Sequence, residues 1–182
     1  MVSILITTFN SAQFIERCLD SVQRQSYRPL EIIVVDNAST NGTRELLAKR
    51  GTGIKVVYND SNIGFAAAQN QAARSARGSW LLSLNPDVVL GTNFIAEAVS
   101  MGEPNPKIGA VCGKLLRWNQ GSDPEFTKVI DSTGMYFFPN LRHLDRGSGE
   151  LDEGQFEEAE HVLQQKLDYL KESRQNLYSG SN

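Results

Sequence analysis

Residues 79–90 read Ser79-Trp80-Leu81-Leu82-Ser83-Leu84-Asn85-Pro86-Asp87-Val88-Val89-Leu90 and begin with a short apolar run of the length expected for a buried strand. The run ends at Asn85-Pro86-Asp87, because Pro86 cannot donate a hydrogen bond within a sheet and favours an extended conformation at Asn85. Asn85 and Asp87 should therefore lie at the carboxyl edge of the strand, where open α/β sheets bind ligands. Asp87, with Asn85 as a weaker helper, can hold Mg²⁺ or Mn²⁺ against a diphosphate. Ordinary turn chemistry is the alternative interpretation of the same tripeptide.

Two further apolar runs precede this stretch, and each also ends in polar residues. Val2 to Thr7 reads as a strand that is apolar on both faces, which is typical of a central strand in a parallel sheet. Leu30 to Val35 reads as the second strand and continues directly into Asp36-Asn37. The helical pattern between them indicates a right-handed crossover, which brings both strand ends to one edge. Asp36 is therefore expected beside Thr7, roughly 5 Å away as in neighbouring strands.

The remaining elements follow from the same periodicities. They are helices around 14–25, 43–50, 65–77 and 94–101, strands at 54–58 and 108–116, a short strand pair at 129–138 and a basic turn at 141–149. Acidic residues concentrate at 150–160, and a leucine stripe after them predicts an amphipathic C-terminal helix. We therefore expect an α/β domain at 1–162 and a helical tail at 163–182. The stripe would pair two chains into a homodimer if it were left uncovered.

Composition narrows the class of protein. The 182 residues are 40% hydrophobic, which is enough for one domain with a sizeable core. The formal net charge of −3 gives no electrostatic reason to expect nucleic acid or an anionic membrane as partner. No run approaches the ~18 apolar residues of a membrane span. The two cysteines, Cys18 and Cys112, have neither disulfide nor metal-ligand spacing, which indicates reduced, buried thiols in a cytoplasmic protein.

The three strand ends together suggest a chemistry. An acidic residue after the second strand can accept a hydrogen bond from a base N–H or a ribose hydroxyl, and Gly64 lets the backbone approach a ligand closely. A metal at Asp87 would offset diphosphate charge and help a nucleotide to leave. This arrangement suits transfer from a nucleoside-diphosphate donor. The chain has neither the G-x-G-x-x-G of hydride-transferring enzymes nor the P-loop of ATPases.

Four segments carry a resemblance to a known family. The segments are Val2-Ser3-Ile4-Leu5-Ile6-Thr7-Thr8-Phe9-Asn10, Ile33-Val34-Val35-Asp36-Asn37-Ala38-Ser39, Asn62-Ile63-Gly64-Phe65-Ala66-Ala67-Ala68-Gln69-Asn70 and Leu84-Asn85-Pro86-Asp87. In this order, they resemble the successive motifs of family 2 glycosyltransferases, and most closely those of the rhamnosyltransferase-like branch, which has the GT-A fold. The resemblance covers roughly residues 1–162.

This resemblance implies a fold and an activity. The fold is a mostly parallel sheet flanked by helices, as in nucleotide-diphospho-sugar transferases. The activity is metal-assisted transfer of a sugar from a UDP- or dTDP-linked donor to a glycan or lipid-linked acceptor. Inversion at the anomeric carbon is expected, as is a place in cell-wall polysaccharide biosynthesis.

The resemblance also implies roles for individual residues. Thr7 and Asp36 would contact the nucleobase and ribose, with Asn37 close by. Gly64 and Asn70 would lie along the nucleotide and sugar. Asn85 and Asp87 correspond to the family's Asp-x-Asp metal motif, from which this chain departs by having Asn at the first position.

A general base for the acceptor hydroxyl is not identified in the sequence. The family places this carboxylate in a later Glu-Asp segment, whereas here the leucine-striped helix follows, as expected of a truncated chain with an unrelated tail or of a natural short form. Carboxylates at Asp152, Glu153, Glu157 and Glu158 belong to an acidic loop and helix start. The alternative function is therefore a nucleotide-sugar-binding module without turnover. A receiver-like domain would need acidic residues at the end of the first strand, where Thr7-Thr8 stands.

Overall fold

The computed structural model describes residues 1–118, 126–138, 140 and 142–156. The chain divides into two compact units, the first spanning Met1–Val111 and the second starting at Cys112. The helix predicted at 163–182 lies outside the described residues, so the division into 1–162 and 163–182 stays a prediction. Among the described helices, none has both the length and the apolar character that crossing a membrane requires.

The first unit is a parallel α/β sheet, as the sequence predicts. Its four strands lie in the order β3-β2-β1-β4, and every neighbouring pair is parallel. The strands are β1 (Val2–Thr8), β2 (Leu30–Asn37), β3 (Lys55–Asn59) and β4 (Trp80–Leu84), and the helices are α1 (Ile15–Gln23), α2 (Thr43–Lys49), α3 (Phe65–Arg74) and α4 (Phe94–Gly102).

β1 is central because its side chains are apolar on both faces, and all seven of its residues are buried. On one face, Ile4 and Ile6 pack in a cluster with residues of α1, α2 and α4. On the other face, Leu5 packs against Ala68 and Ala72 of α3. Small alanine side chains let α3 lie close to the sheet on this second face.

Ser3 and Glu31 hold the turn between α3 and β4 at the amino edge of the sheet. The Ser3 hydroxyl donates to the Glu31 carboxylate at 2.6 Å and accepts from the Gly78 backbone N–H at 2.8 Å. Arg77 donates to the same carboxylate from its backbone N–H and from Nε, each at 2.9 Å. These bonds bring the Gly78 backbone directly against β1.

The second unit contains two antiparallel strand pairs. β5 (Leu115–Trp118) pairs with β6 (Phe126–Ser132), and β7 (Met135–Phe137) pairs with β8 (His143–Asp145). The strand expected at 108–116 was therefore wrong over 108–114, where two glycines interrupt the apolar run. The pairing expected within 129–138 was also wrong, because β7 pairs with a strand that lies in the predicted turn.

Gly78 provides a test of this packing. A Cβ atom at this position would lie 2.6 Å from the Ser3 backbone nitrogen and 2.9 Å from the Trp80 carbonyl oxygen. Because two backbones would have to separate, we expect Gly78→Ala to lower the free energy of unfolding by roughly 1–3 kcal/mol in urea titration. Gly109→Ala is the control, since no atom lies within 4 Å of a Cβ there. Equal urea midpoints for the two variants would contradict the packing described.

Candidate nucleotide-sugar site

The sheet order brings the carboxyl ends of β2, β1 and β4 side by side, as the sequence predicts. The register differs by one residue from the expectation, because Asp36 pairs with Thr8 and Val35 pairs with Thr7. On the other side of β1, pairing of Ile6 with Leu84 places Thr7 level with Asn85. Thr7 is therefore flanked by β2 and β4 at the middle of this edge.

Alternation of side chains divides the polar residues of this edge between the two faces of the sheet. Thr7 and Asn37 lie on the face of Leu5, which α3 covers. Thr8 and Asp36 lie on the face of α1 and α2. Thr7 and Asp36, which were expected to act together on one ligand, therefore point to opposite faces.

Asp36 is buried and fully hydrogen-bonded within the protein. Its Oδ1 accepts from the hydroxyls of Thr8 at 2.9 Å and Ser39 at 2.5 Å. Its Oδ2 accepts from the Ser39 backbone N–H at 3.1 Å and from Arg44 Nε at 2.7 Å. The carboxylate has a side-chain exposure of 0%. All four favourable acceptor positions are filled before any ligand arrives.

Arg44 extends this network to β3. Its Nη2 donates to the Asn59 carbonyl oxygen at 2.5 Å, and its guanidinium lies 5.4 Å from the centre of the Tyr58 ring. Burial alone would raise the pKa of Asp36, but the hydrogen bonds from Ser39, Arg44 and Thr8 outweigh burial and hold that pKa below its usual value. Asp36 is therefore an anion at neutral pH.

The loops that leave β1 and β2 are bound to each other above this carboxylate. The Asn10 backbone N–H donates to the Ser39 hydroxyl, and the Thr40 backbone N–H donates to Asn10 Oδ1, both at 2.9 Å. Asn10 and Ala38 have φ angles of 53° and 62°, a left-handed conformation that is unusual for alanine. Such conformations persist where the surroundings hold them, and they are frequent at ligand-binding sites.

Thr7 has a buried hydroxyl without a hydrogen-bond partner in the part of the chain that the structure describes. The residue is 7% exposed, so bulk water does not readily replace a partner. A buried polar group left unpaired costs free energy, which a polar ligand atom would recover.

Asn37 joins three elements on the face that α3 covers. Its Nδ2 donates to the Gly64 carbonyl oxygen at 3.3 Å, and its Oδ1 accepts from Asn59 Nδ2 at 2.9 Å. Gly64 precedes α3 with a φ of 85°, which favours glycine. The Asn37 amide keeps one N–H and one oxygen lone pair that no described residue uses.

Asn85 begins the turn that follows β4. The Val88 backbone N–H donates to the Asn85 carbonyl oxygen at 3.3 Å, and the Cys18 thiol donates to the same oxygen at 3.6 Å. Burial, and secondarily the negative charge of Asp87, raises the pKa of the Cys18 thiol to about 12. The tripeptide therefore forms a turn, as the alternative interpretation expects, and the side chains of Asn85 and Asp87 are exposed. Their role at a metal stays a prediction.

Asp87 fits a metal ion as a single protein ligand. Among the described residues, no group of three or more His, Cys, Asp or Glu side chains is placed to hold a metal. The Asp87 carboxylate is exposed and accepts no hydrogen bond from a described residue. Mg²⁺ in phosphate sites takes one or two carboxylates and completes its coordination with phosphate oxygens and water, which is compatible with Asp87 alone.

The other predicted residues belong to α3, to the second unit or to the part of the chain outside the described residues. Asn70 is exposed on the side of α3 opposite Ala68 and Ala72, which face the sheet. Asp152 forms an ion pair with Lys114 at 2.6 Å, and Glu157 and Glu158 are outside the described residues. Cys112 is exposed, so the expectation that both thiols are buried was wrong for this one.

Sequence reasoning missed Thr8, Ser39, Arg44 and Asn59. The alternation of β1 and β2 already places Thr8 and Asp36 on one face, and Asp36-x-x-Ser39 is a spacing at which a carboxylate caps its own loop. No local signal identifies Arg44, because its two contacts lie on different strands.

The parallel sheet flanked by helices is of the GT-A class, a fold shared with solved glycosyltransferase structures, and the family follows from the sequence profile. Residues 3–148 match the profile described as Glycosyl transferase family 2, which is most of the 182-residue chain. The chain therefore belongs to glycosyl transferase family 2.

Several curated relatives support this membership. The putative teichuronic acid biosynthesis glycosyltransferase TuaG of Bacillus subtilis is 38% identical over 90 residues, covering 48% of this chain and 36% of that protein. An N-acetylglucosaminyltransferase of Azorhizobium caulinodans is 32% identical over 137 residues, which cover 71% of this chain and 34% of that protein. An N-acetylglucosaminyl-diphospho-decaprenol L-rhamnosyltransferase of Mycobacterium tuberculosis is 26% identical over 133 residues, covering 67% and 43%. The chain thus spans less than half the length of these relatives.

Two solved structures share the fold. The mannosyltransferase PcManGT from Pyrobaculum calidifontis, in complex with GDP-Man and Mn²⁺, superposes with a TM-score of 0.57 at 29% identity over 64% of this chain and 35% of that one. Residues 1–349 of S. aureus TarS, in complex with UDP-GlcNAc, superpose with a TM-score of 0.53 at 25% identity over 57% and 31%.

The pKa of Asp36 predicts how its contribution to stability changes with pH. We expect Asp36→Asn to lower the free energy of unfolding at pH 7 by roughly 2–4 kcal/mol, less than for a fully buried pair because the Arg44 side chain is 37% exposed. A carboxylate with a lowered folded-state pKa stabilises above its unfolded pKa of about 3.9, and this stabilisation is lost as the pH falls through the folded value. Urea titrations of both proteins should therefore give a constant difference between pH 6 and 8 that shrinks below about pH 4. A difference that persists undiminished at about pH 2 would contradict this.

Proposed function

We propose that the protein is a glycosyltransferase that transfers a sugar from a UDP- or dTDP-linked donor to a glycan or lipid-linked acceptor, with Mg²⁺ or Mn²⁺ as cofactor. The observation that carries the proposal is the Thr7 hydroxyl, which is buried without a partner among the described residues and lies at the centre of an edge where three parallel strands end. The relatives named for teichuronic acid and decaprenol-linked chemistry support a role in polysaccharide biosynthesis.

The donor would lie across the carboxyl edge, along the face that α3 covers. The nucleoside would meet the Thr7 hydroxyl and the free hydrogen-bonding positions of Asn37. Gly64, which bears no side chain, would let the backbone at the start of α3 approach the donor. Asn85 and Asp87 would face the diphosphate from β4, and Asn70 stays a predicted contact to the sugar.

Transfer with inversion is a single displacement at the anomeric carbon. The acceptor hydroxyl oxygen forms a bond to that carbon as the bond to the diphosphate breaks, and the acceptor proton passes to a base. The leaving diphosphate takes the bonding electron pair. A divalent cation bound there would neutralise part of the charge that develops on the leaving group. Asp87 would orient the diphosphate through that cation.

Binding of a nucleotide sugar without turnover is the alternative outcome. It is favoured if the chain binds nucleotides but releases no nucleoside diphosphate from a donor in the presence of acceptor. A panel of radiolabelled UDP- and dTDP-sugars with a lipid-linked acceptor distinguishes the two outcomes.

The metal role of Asp87 is tested by calorimetric titration with UDP, dTDP and GDP, with and without Mn²⁺. We expect Mn²⁺ to strengthen binding of one nucleotide by at least about tenfold, and Asp87→Ala to abolish this gain because the carboxylate is lost. The control is Asp60→Ala, which removes an exposed carboxylate just after β3, at the far side of the sheet from β4. Binding that is unaffected by Mn²⁺ would overturn the role of Asp87, and absence of binding in all titrations would overturn the proposed function.

Thr7→Val tests whether the buried hydroxyl meets the ligand. Valine has nearly the same shape and removes an unpaired polar group, so the melting temperature should stay unchanged or rise. Nucleotide affinity should fall about tenfold, since the ligand would lose a hydrogen bond in a buried position. Thr43→Val is a matched control, because it replaces another buried threonine whose hydroxyl is hydrogen-bonded within the protein. Thr43→Val should lower the melting temperature and change the nucleotide affinity little. Unchanged affinity in Thr7→Val would exclude the contact.

A further inference from the structure

Asp36 lies at the proposed nucleotide edge, yet its hydrogen-bonding capacity is used within the protein. Both carboxylate oxygens accept two hydrogen bonds each, from Thr8, Ser39 and Arg44. A nucleobase or ribose could bond to this carboxylate only by displacing one of those donors. The residue also lies on the face of the sheet opposite Thr7 and Asn37. Its contribution to ligand binding therefore has to be indirect.

A series of hydrogen bonds leads from the Asp36 side chain, through two other residues, to the side chain of Asn37, its neighbour in sequence. Asp36 accepts from Arg44 Nε at 2.7 Å, and Arg44 Nη2 donates to the Asn59 carbonyl oxygen at 2.5 Å. The Asn59 side chain then donates to Asn37 Oδ1 at 2.9 Å. The peptide bond between residues 36 and 37 closes this series into a ring. It crosses from β2 to α2, then to β3, and returns to β2.

Arginine has the geometry that this ring requires. Its planar guanidinium presents several N–H groups in a fixed fork, so one side chain can bond to the carboxylate and to a carbonyl of the next strand at the same time. Arg44 bonds to the backbone of Asn59, and the Asn59 side chain forms reciprocal amide hydrogen bonds with Gln71 of α3, each at 3.0 Å. The Asn37 amide is thus fixed by Asn59 on one side and by the Gly64 carbonyl on the other.

We propose that Asp36 and Arg44 are positioning residues, which bind no part of the nucleotide themselves and orient the Asn37 amide toward it through Asn59. This proposal rests on the proposed nucleotide site. Under this proposal, Asn37 is the residue of β2 that recognises the nucleotide. Arg44 affects nucleotide affinity although its guanidinium does not touch the nucleotide.

A double-mutant cycle between Arg44→Gln and Asn37→Ala tests the proposal, with binding of UDP, dTDP, CDP and GDP measured calorimetrically with Mn²⁺. In the otherwise unchanged protein, Arg44→Gln should weaken the preferred nucleotide about tenfold. In the Asn37→Ala background the same change should have less than about a twofold effect, because the residue through which it acts is gone. The proposal would be overturned if the double variant lost affinity by the product of the two single fold-changes, because the two residues would then act independently.

The corresponding cycle with Asp36→Asn separates positioning from direct contact. If Asp36 bound the base, Asp36→Asn would weaken nucleotide binding in the Asn37→Ala background as well. It would also change the ratio of UDP to CDP affinity, since the N3 position is a donor in uracil and an acceptor in cytosine. Positioning predicts that the loss disappears in that background and that Asp36→Asn itself weakens both nucleotides by a similar factor. If Asp36→Asn fails to fold, the Arg44 cycle still decides the question.

Conservative and structural controls complete the experiment. Arg44→Lys keeps the charge beside Asp36 but cannot reach the Asn59 carbonyl with a second donor. Compared with Arg44→Gln, it should therefore restore the melting temperature more completely than the nucleotide affinity. Glu31→Gln changes a carboxylate of the amino edge that also accepts from a serine hydroxyl and an arginine. It should lower the melting temperature and leave affinity unchanged. Equal losses of affinity in Glu31→Gln and Arg44→Gln would overturn the proposal.

A ligand-free measurement keeps the proposal distinct from the proposed function. The side-chain NH₂ signals of Asn37 in an ¹⁵N-correlated spectrum should be sharp and dispersed in the unchanged protein, and shifted or broadened in Arg44→Gln. If the protein binds no nucleotide, the proposed function fails while this spectrum still reports whether Arg44 orients Asn37. Unaltered Asn37 signals in Arg44→Gln would overturn the positioning role.

Discussion

The position of β1 between β2 and β4 is the constraint on which the rest of the first unit depends. All seven residues of β1 are buried, and helices cover both of its faces. A slip of one residue would exchange its two faces and place Thr8 where Leu5 and Thr7 now pack. The register with both neighbours is therefore tightly determined. Because β1 is central, the carboxyl ends of three strands form one continuous row.

The first unit was predictable from sequence because its strands are buried on both faces. Strands of this kind appear as uninterrupted apolar runs, and the helices between them fix their direction, so the order of elements follows. The second unit lacks both features. β8 is exposed along its whole length and has a single apolar residue, Leu144, between His143 and Asp145. This pattern is too short to distinguish the strand from a turn. β7 and β8 lie close together in the sequence, since Phe137 pairs with His143 and Met135 with Asp145. Strands of three residues nevertheless give no periodic pattern from which their pairing could be predicted.

The edge that carries the candidate site was predictable from sequence, but the hydrogen-bonding state of its residues was less so. The breaks after the apolar runs correctly identify Thr7, Asp36 and Asn85 as residues of one edge. Their division between two faces also follows from alternation, once the register is known. Alternation does not predict that donors of the protein fill the acceptor positions of the Asp36 carboxylate. Arg44 reaches this carboxylate from a helix and also reaches Asn59 on another strand. Residues with similar local sequence patterns can therefore differ in how far their hydrogen-bonding groups are already used within the protein.

The charges at the carboxyl edge differ between its two aspartates, and this difference bears on how a diphosphate would be held. Asp36 is buried and paired with Arg44, so its negative charge is compensated by a cation 2.7 Å away. Asp87 is exposed and takes part in no ion pair with a described residue. An uncompensated carboxylate repels a diphosphate, and the repulsion becomes attraction only if a cation lies between them. Under the proposed function, a cation between Asp87 and the diphosphate would remove this repulsion. On the β2 side of the edge, Arg44 balances the charge of Asp36, so the same repulsion would not arise there.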